Sequence, residues 1–584
     1  MCSKVPLRVD QSVPCLQSTV GMRSHLPVVV GAALVGTATA FTTSGVWNSF
    51  LRQPHGISRQ SASRHSVLTV ASSASTQAAE PKAQLPALLQ LSHRRAIWTV
   101  AWPAMAIGVL RTLYGVIDAF WIGKLGPVEL EAMGAASFAT WIILILGELP
   151  AVGVHAVSAA HEGSGTRSKV DPTVAAGLWI SLFISLALAA CLPLGIVHGY
   201  FELLGLGASG GTHAAAVCAV GEPFLFWSAI GALPLAAGAC VGSGFKGLGI
   251  MRPALFATAV SVAFNAVVDP LFIWGCPMLG IPKLGVVGAA HATNLSALLA
   301  LLLLAARFRK ICPSPHSSTS SVGGGDVRRS WWPKSDLPAR CLHVAKIGAP
   351  VAASGMLFTV VFIALGRLLT SMGPVNLAAM GIGQRLESLQ YTVNEAFAAS
   401  AATLVGQWLG AGKKEQARRS AWRCVQIAAL INVPFMVMGL CFAQQLASCF
   451  ANDASVAAAA AQYLKVVAVV FPLAAVEVTF EGALAGAGDT LPTLLIGLAL
   501  NGSRVGLAMF LSKSGLGVNG VWLAIAATTV LKAFAKWAAF HFSGLPALRQ
   551  PAGAAEESSM DSAGGSEGRI QPGDGDKPLG FASR

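Results

Sequence analysis

Charge is what this 584-residue chain has least of. Only 11% of its residues are Asp, Glu, Lys or Arg, against 54% hydrophobic, and its mean hydropathy is positive. That balance excludes an ordinary water-soluble domain. The long apolar stretches do not alternate in polarity, which excludes a membrane β-barrel. The eleven cysteines are scattered, with no CxxC pair and no metal-ligand spacing, so they read as small apolar packing residues. The chain also lacks HExxH, a Ser/Lys or paired-Asp motif and a His-rich metal tract, which argues against an intramembrane enzyme.

What is there is apolar length. Stretches long enough to cross a bilayer recur at roughly 96–122, 132–158, 172–196, 216–243, 254–275, 285–306, 346–369, 378–404, 422–446, 461–485, 491–512 and 518–541. Only helices supply so many spans with internally satisfied backbones. The expected fold is therefore an all-α membrane protein of twelve transmembrane helices.

Basic residues outnumber acidic ones, 40 to 26, a balance that invites a nucleic-acid partner. Their placement argues against one. Loops after even-numbered spans carry Arg167, Lys169, Lys246, Arg252, the cluster from Arg307 to Lys346, and Lys413, Lys414, Arg418, Arg419 and Arg423. Loops after odd-numbered spans hold little beyond Lys124, Lys283 and Lys513. This is the positive-inside bias, and it puts both termini on the side where insertion begins.

Leu125–Gly134 reads LGPVELEAMG and Met372–Gly381 reads MGPVNLAAMG, with seven of ten positions identical at an offset of 247. Pro103 and Pro350 recur at the same offset within the preceding apolar runs. The chain is thus two related halves, and a repeat of this size points to a transporter whose substrate path lies between them.

The halves differ in chemistry. Asp118 corresponds to Leu365. Asn265 and Asp269 lie one helical turn apart, on one face of an apolar run. Their counterparts are Arg504 and Ala508. A carboxylate in hydrocarbon costs several kcal/mol and normally faces a wet cavity or a partner. Desolvation and like-charge repulsion make a pair of such acids a natural place to take up a proton. The plainer alternative is that Asp118 caps a helix end beside Lys124 and that Asp269 organises an Asp-Pro boundary. Glu477 and Glu395 are further candidates for a substrate cavity, with Glu387 similar to Glu395. Glu481 is read as an interfacial residue, Glu148 and Glu222 as structural acids, and Arg367 and Arg504 as snorkelling residues.

Several motifs carry a family resemblance: LVGQWLGAGKKEQARR (404–419), GALAGAGDTLPT (482–493), NAVVDPLF (265–272) and GVVGAAHAT (285–293). Over roughly 95–545 the chain resembles the multidrug and toxic compound extrusion (MATE) transporters, and within them the DinF-like branch. The resemblance implies a V-shaped pair of six-helix lobes with a central cavity, exporting organic compounds in exchange for H⁺ or Na⁺. Carried over by position, it implies ion coupling by Asp118, Asn265, Asp269 and the hydroxyl of Thr293, with Pro103 as the bending point of the first helix. A Na⁺ ion would take the same four residues; no other metal and no cofactor is implied. The seventh span has no acid, which fits a first-lobe site. Two departures are Lys246–Met251, where the family often has Arg-Gly-x-Gly-Asp-Thr, and His161 where glutamine is common. The alternative within the superfamily, a lipid-linked oligosaccharide flippase, needs an Arg/Lys-rich cavity, and the spans carry few basic residues.

Up to Ala79 there is one acid, Asp10, against six Lys and Arg, with abundant Ser and Thr. A short apolar core, LPVVVGAALVGTATA, is followed at once by Phe41. This order resembles the bipartite presequences of algae with secondary plastids. The expected organisation is a disordered targeting presequence (1–85), a first lobe (86–310), a flexible linker (311–340), a second lobe (341–545) and a disordered tail (546–584). The expected setting is a plastid envelope membrane, with the secretory pathway or plasma membrane as the alternative. The expected partners are a small organic substrate and the lipid bilayer, with the chain acting as a monomer.

Overall fold

The computed structural model describes residues 85–545 apart from 193–194, 205, 207–210, 313–335 and 452. The expected tail and all but the last residue of the expected presequence lie outside the described residues, as does most of the expected linker.

The first half comprises α1 (His93–Ile122), α2 (Pro127–Gly163), α3 (Val170–Cys191), the short α4 (Ile196–Leu203), α5 (Gly211–Ile230), α6 (Ala232–Gly247), α7 (Arg252–Trp274) and α8 (Val286–Ile311). The second half comprises α9 (Leu337–Ser371), α10 (Pro374–Gly410), α11 (Lys414–Cys441), the short α12 (Ala443–Ser448), α13 (Ala454–Ala468), α14 (Phe471–Gly486), α15 (Leu491–Leu511) and α16 (Val518–Phe542). All twelve expected spans fall on these helices. The chain is an all-α membrane protein of twelve transmembrane segments in two six-segment lobes, the fourth segment of each lobe being a broken helix pair.

The repeated decamer is a helix start. Pro127 and Pro374 sit in the first turns of α2 and α10, where a missing N–H costs nothing. Gly373, ahead of Pro374, has φ 123°, a conformation that favours glycine. Breaks recur too. α5 and α6 part at Gly231, against which the side chain of Asn294 packs. α13 and α14 are bent by 59° around Val469–Val470, just before Pro472.

Ten of these helices are long and apolar enough to cross a membrane among the described residues, and the bent pair makes eleven. The remaining segment, α10, has the length, 37 residues, but carries Arg385, Glu387 and Glu395. Its neighbours explain how it tolerates them: α10 packs against α1 and α2 of the first lobe as well as α11 and α14 of its own. α9 also begins earlier than the expected linker boundary. Pro338 lies in its first turn and Arg340 pairs with Asp336 at 2.5 Å, so residues 337–340 are helical rather than linker.

The lobes meet through glycines. Gly163 packs against the backbone of Gln407, and Gly410 against the backbone of Ala160. These are reciprocal contacts, since 163 and 410, like 160 and 407, are repeat-equivalent. Gly153 lies on the backbone of Val344 and Gly348 on that of Leu149. Side chains tie the same junction. Gln407 Nε2 donates to the Gly247 carbonyl at 2.8 Å, Thr403 Oγ1 to the Lys246 carbonyl at 3.0 Å, and His155 Nε2 lies 2.9 Å from Thr403 Oγ1. The junction occupies the end that carries the basic loops. Toward the opposite end, Glu148, Tyr391 and Glu395 remain exposed to solvent between the lobes.

A side chain at Gly163 has nowhere to go but into the α10 backbone. Gly163→Val is expected to lower the melting temperature of the purified protein, at a cost of about 1–3 kcal/mol. Gly134→Val, at a position with open space around it, leaves melting within a degree or so of the parent on that scale.

Candidate functional site

Three helices of the first lobe converge on one polar cluster. Asp118 projects from α1 four residues before its C-terminal end, Asn265 and Asp269 from α7, and Thr293 from the second turn of α8. The i, i+4 spacing of Asn265 and Asp269 turns both side chains the same way, and Asn265 Nδ2 donates to Asp269 Oδ1 at 3.0 Å. Thr293 Oγ1 donates to Asp118 Oδ2 at 3.3 Å. The Asp118 carboxyl also lies within interaction distance of Asp269 and Asn265. Asn265 and Asp269 are fully buried. The structure thus brings the four sequence-selected residues together, and Asp118 does not simply cap a helix end beside Lys124. Lys124 instead lies over the Phe120 and Trp121 rings.

The cluster is short of donors. Asp118 Oδ1, Asn265 Oδ1 and Asp269 Oδ2 are all buried without a hydrogen-bond partner, and among the described residues no basic side chain is in reach of either acid. Carboxylates that face each other in such surroundings require either a proton between them or a bound cation. Beside them runs a chain of hydroxyls: Tyr114 Oη lies 2.5 Å from Ser261 Oγ, which donates to the Ser296 carbonyl at 2.6 Å. The Ser261 proton is committed to that carbonyl, so Tyr114 is the donor of the first bond.

The second lobe has a different interior. Glu477 is buried and bridged by Lys532 at 2.8 Å and Lys536 at 3.0 Å, and Lys536 also pairs with Glu481 at 2.5 Å. Arg504, only 1% exposed, donates from Nε to Thr528 Oγ1 at 2.8 Å. Its guanidinium sits 6.0 and 5.7 Å from the ring centres of Phe358 and Phe362. Arg504 therefore does not snorkel to an interface. Between the lobes, Glu395 and Tyr391 reach solvent in the neighbourhood of Glu148, Glu481 and Lys246. Arg111 pairs with Glu148 at 3.5 Å.

The MatE family profile matches residues 103–271 and 350–510, more than half of the chain and one block in each lobe. This protein belongs to the MATE family. It is 23% identical over 463 residues to the probable multidrug resistance protein NorM of Thermotoga maritima, covering 78% of this chain and 93% of that one. It is 27% identical over 458 residues to the FAD transporter of Shewanella oneidensis, covering 77% and 94%. The fold is similar to that of a solved MOP-superfamily transporter from Pyrococcus furiosus, with a TM-score of 0.68 at 21% identity, covering 79% of this chain and 98% of that one.

In this MATE protein the sequence expectation for Glu477 needs correction. Glu477 is not a cavity acid open to a cationic substrate, because two buried lysines neutralise it. Glu481, set aside as interfacial, is the more accessible of the pair, with its side chain 27% exposed. Glu148, read as structural, faces the inter-lobe space. Lys532 and Lys536 were overlooked, although their four-residue spacing inside an apolar run is the signal that marked Glu477 and Glu481. Tyr114, Ser261 and Ser296 carried no sequence signal, since lone hydroxyls in apolar helices are common.

Removing one side of the buried ion-pair group strands a charge. Lys536→Met is expected to destabilise the purified protein by about 3–5 kcal/mol, read as a fall in thermal melting temperature. Lys536→Met combined with Glu481→Met, which leaves the Glu477–Lys532 pair intact, recovers much of that loss. An equal loss in single and double variants would show that the lysine acts through packing alone.

Proposed function

We propose that this MATE protein is a secondary antiporter that exports small organic compounds in exchange for H⁺ or Na⁺, and that its coupling site is the cluster of Asp118, Asn265, Asp269 and Thr293. The observation that carries the reading is the group of three buried, unpartnered oxygens on Asp118, Asn265 and Asp269. Together with the Thr293 hydroxyl they form a set of hard oxygen donors, two of them carboxylates, suited to a proton or a small monovalent cation.

The second lobe supports a one-site arrangement. Arg504 stands at the position equivalent to Asn265 and Leu365 at that of Asp118. Where the first lobe leaves a place for a mobile cation, the second holds a tethered one. Of the relatives named above, one is named a probable multidrug resistance protein and the other an FAD transporter, so membership of the family does not fix one cargo. We place this protein nearer the DinF-like branch, because its seventh segment, α9, carries no acid among residues 337–371, and we assign it to a plastid membrane on the composition of its N-terminal eighty residues.

In this mechanism, ion uptake removes the repulsion between Asp118 and Asp269 and draws α1 toward α7. Pro103 lies fifteen residues up α1, about 22 Å along its axis, where the missing N–H leaves the helix soft. Bending there narrows the first-lobe side of the cavity and expels cargo; release of the ion on the other side resets it. The flippase reading is less favoured. The buried lysines are neutralised by Glu477 and Glu481 and Arg111 by Glu148, so among the described residues these basic groups are not free to hold a pyrophosphate.

Reconstituted into liposomes, the protein is expected to drive efflux of an organic dye under an imposed H⁺ or Na⁺ gradient. Asp118→Asn and Asp269→Asn are each expected to reduce this by tenfold or more, of the order that follows from losing a charged partner in a buried site, while Gly134→Val, outside the cluster and in open space, retains gradient dependence. Undiminished ion-driven efflux in Asp118→Asn would remove that residue from the coupling site. Comparing the two gradients in the parent protein identifies the ion.

A further inference from the structure

A second constellation stands apart from the ion cluster, at the membrane end opposite the basic loops. There the connection between the third and fourth segments forms α4, and α4 lies against α5. His198 on α4 and Cys218 and Glu222 on α5 direct one donor atom each into a common space, all within 4.8 Å of one another. The imidazole Nδ1 is 2.5 Å from Glu222 Oε1, and Cys218 Sγ is 3.1 Å from the same oxygen. Cys218 and Glu222 are spaced i, i+4, so one face of α5 presents both.

We propose that His198, Cys218 and Glu222 form a binding site for a transition-metal ion of the Zn²⁺ class. Three features select that chemistry. The donors are one nitrogen, one sulfur and one carboxylate oxygen, a mixed set that suits Zn²⁺ and that Mg²⁺ and Ca²⁺ do not use. Their spacing is compatible: bonds of about 2.0–2.3 Å to a tetrahedral ion hold the donors on the order of 3.5 Å apart, and the donors here lie within 4.8 Å of one another, so a small outward shift of the Glu222 carboxylate from its 2.5 and 3.1 Å contacts makes room for the ion. The third feature is the other face of the imidazole. His198 Nε2 lies 3.3 Å from Glu202 Oε1, one turn along α4. A carboxylate on the far ring nitrogen keeps a proton there and orients the ring, so that Nδ1 ligates once it gives up the proton it shares with Glu222, the arrangement that orients metal-binding histidines. Glu202 is thus a positioning residue and not a ligand.

The three ligands come from two elements, and the His198 side chain is 55% exposed, so the fourth position faces water. Binding releases the thiol and imidazole protons and clips α4 to α5, stiffening the rim of the first lobe on the side away from the basic loops. Neither the i, i+4 pair nor the isolated His198 reads as a metal motif along the chain; only the packing of α4 on α5 unites them.

The test uses the full chain without a polyhistidine tag, purified in detergent and stripped with a chelator. Titrated with Zn²⁺ against a fluorescent indicator, the parent is expected to take up one equivalent that His198→Ala and Cys218→Ser both lose. Glu202→Gln keeps the stoichiometry and binds about 10–100-fold more weakly. Co²⁺ is expected to give a sulfur-to-cobalt charge-transfer band that Cys218→Ser abolishes, and Zn²⁺ to raise the melting temperature of the parent but not of His198→Ala or Cys218→Ser. If Cys218→Ser does not fold, the half-exposed His198→Ala decides the outcome. Equal Zn²⁺ uptake by the parent and His198→Ala, or a Co²⁺ spectrum without a sulfur band, would overturn the proposal. Neither result bears on the ion cluster, because the readouts are binding and spectroscopy and not transport.

Discussion

Everything else in this structure depends on how closely α2 and α10 cross. Each is 37 residues long, about 55 Å at the rise of an α-helix, and each uses its final turns to touch the other lobe. Glycine at 163 and 410 removes the side chains that would keep the backbones apart, and the reciprocity of the two contacts is what a two-fold relation between the halves produces. Small residues at such a crossing trade side-chain area for backbone proximity, the usual currency of helix association in membranes. The Gln407 and Thr403 bonds to the carbonyls of Gly247 and Lys246 then satisfy backbone acceptors at the end of α6 and tie both lobes to one junction. In the proposed mechanism, this junction of backbone contacts and a few directional bonds would be the hinge about which each lobe moves, with Glu395 and Glu148 meeting water at the far end.

Given that frame, the two lobes divide the electrostatic work. Twofold-related halves invite twofold-related sites, and the chain departs from that symmetry at specific positions. In the first lobe, α1 and α7 bring two carboxyls together with too few donors. In the second, the equivalent of Asn265 is Arg504, held by Thr528 and two phenylalanine rings, and a separate lysine pair encloses Glu477. Burying charges inside a membrane protein is costly unless they pair. The second lobe resolves that cost within the protein. The first leaves it unresolved, and a site that needs an ion to become electrically complete is a site whose conformation responds to that ion. The asymmetry therefore bears on mechanism, and its positions are those where the internal repeat fails to repeat.

Much of this was legible along the chain because it is local. Helix starts follow from Gly-Pro in the repeated decamer, and the Asn265–Asp269 pair from a four-residue spacing in an apolar run. Asp118 was legible because its repeat partner is leucine. What was not legible depends on which helix faces which. Glu477 looks identical in sequence whether it lines a cavity or meets Lys532 and Lys536, since its partners lie more than fifty residues away. Arg504 resembled a residue near the end of a span, yet α15 continues for seven residues beyond it and buries the guanidinium under α9 aromatics. The break between α13 and α14 was hidden in a continuous apolar run, where only Pro472 signals the change of direction.

Polarity within α10 shows why hydropathy alone undercounts such a protein. A helix exposed to lipid must exclude charge around its whole circumference. α10 is shared by both lobes, so part of its circumference faces protein and part faces the water of the cavity. Gln390 and Asn394 are buried and bonded through Asn432 of α11, and Glu395 is turned to the cavity. The same position that lets α10 carry these groups also makes it the one segment in contact with α1, α2, α11 and α14 together. In the proposed mechanism, a helix packed against both lobes is the element through which a change at Asp118 would reach the cavity, and its low hydropathy is the mark in the sequence of that shared placement.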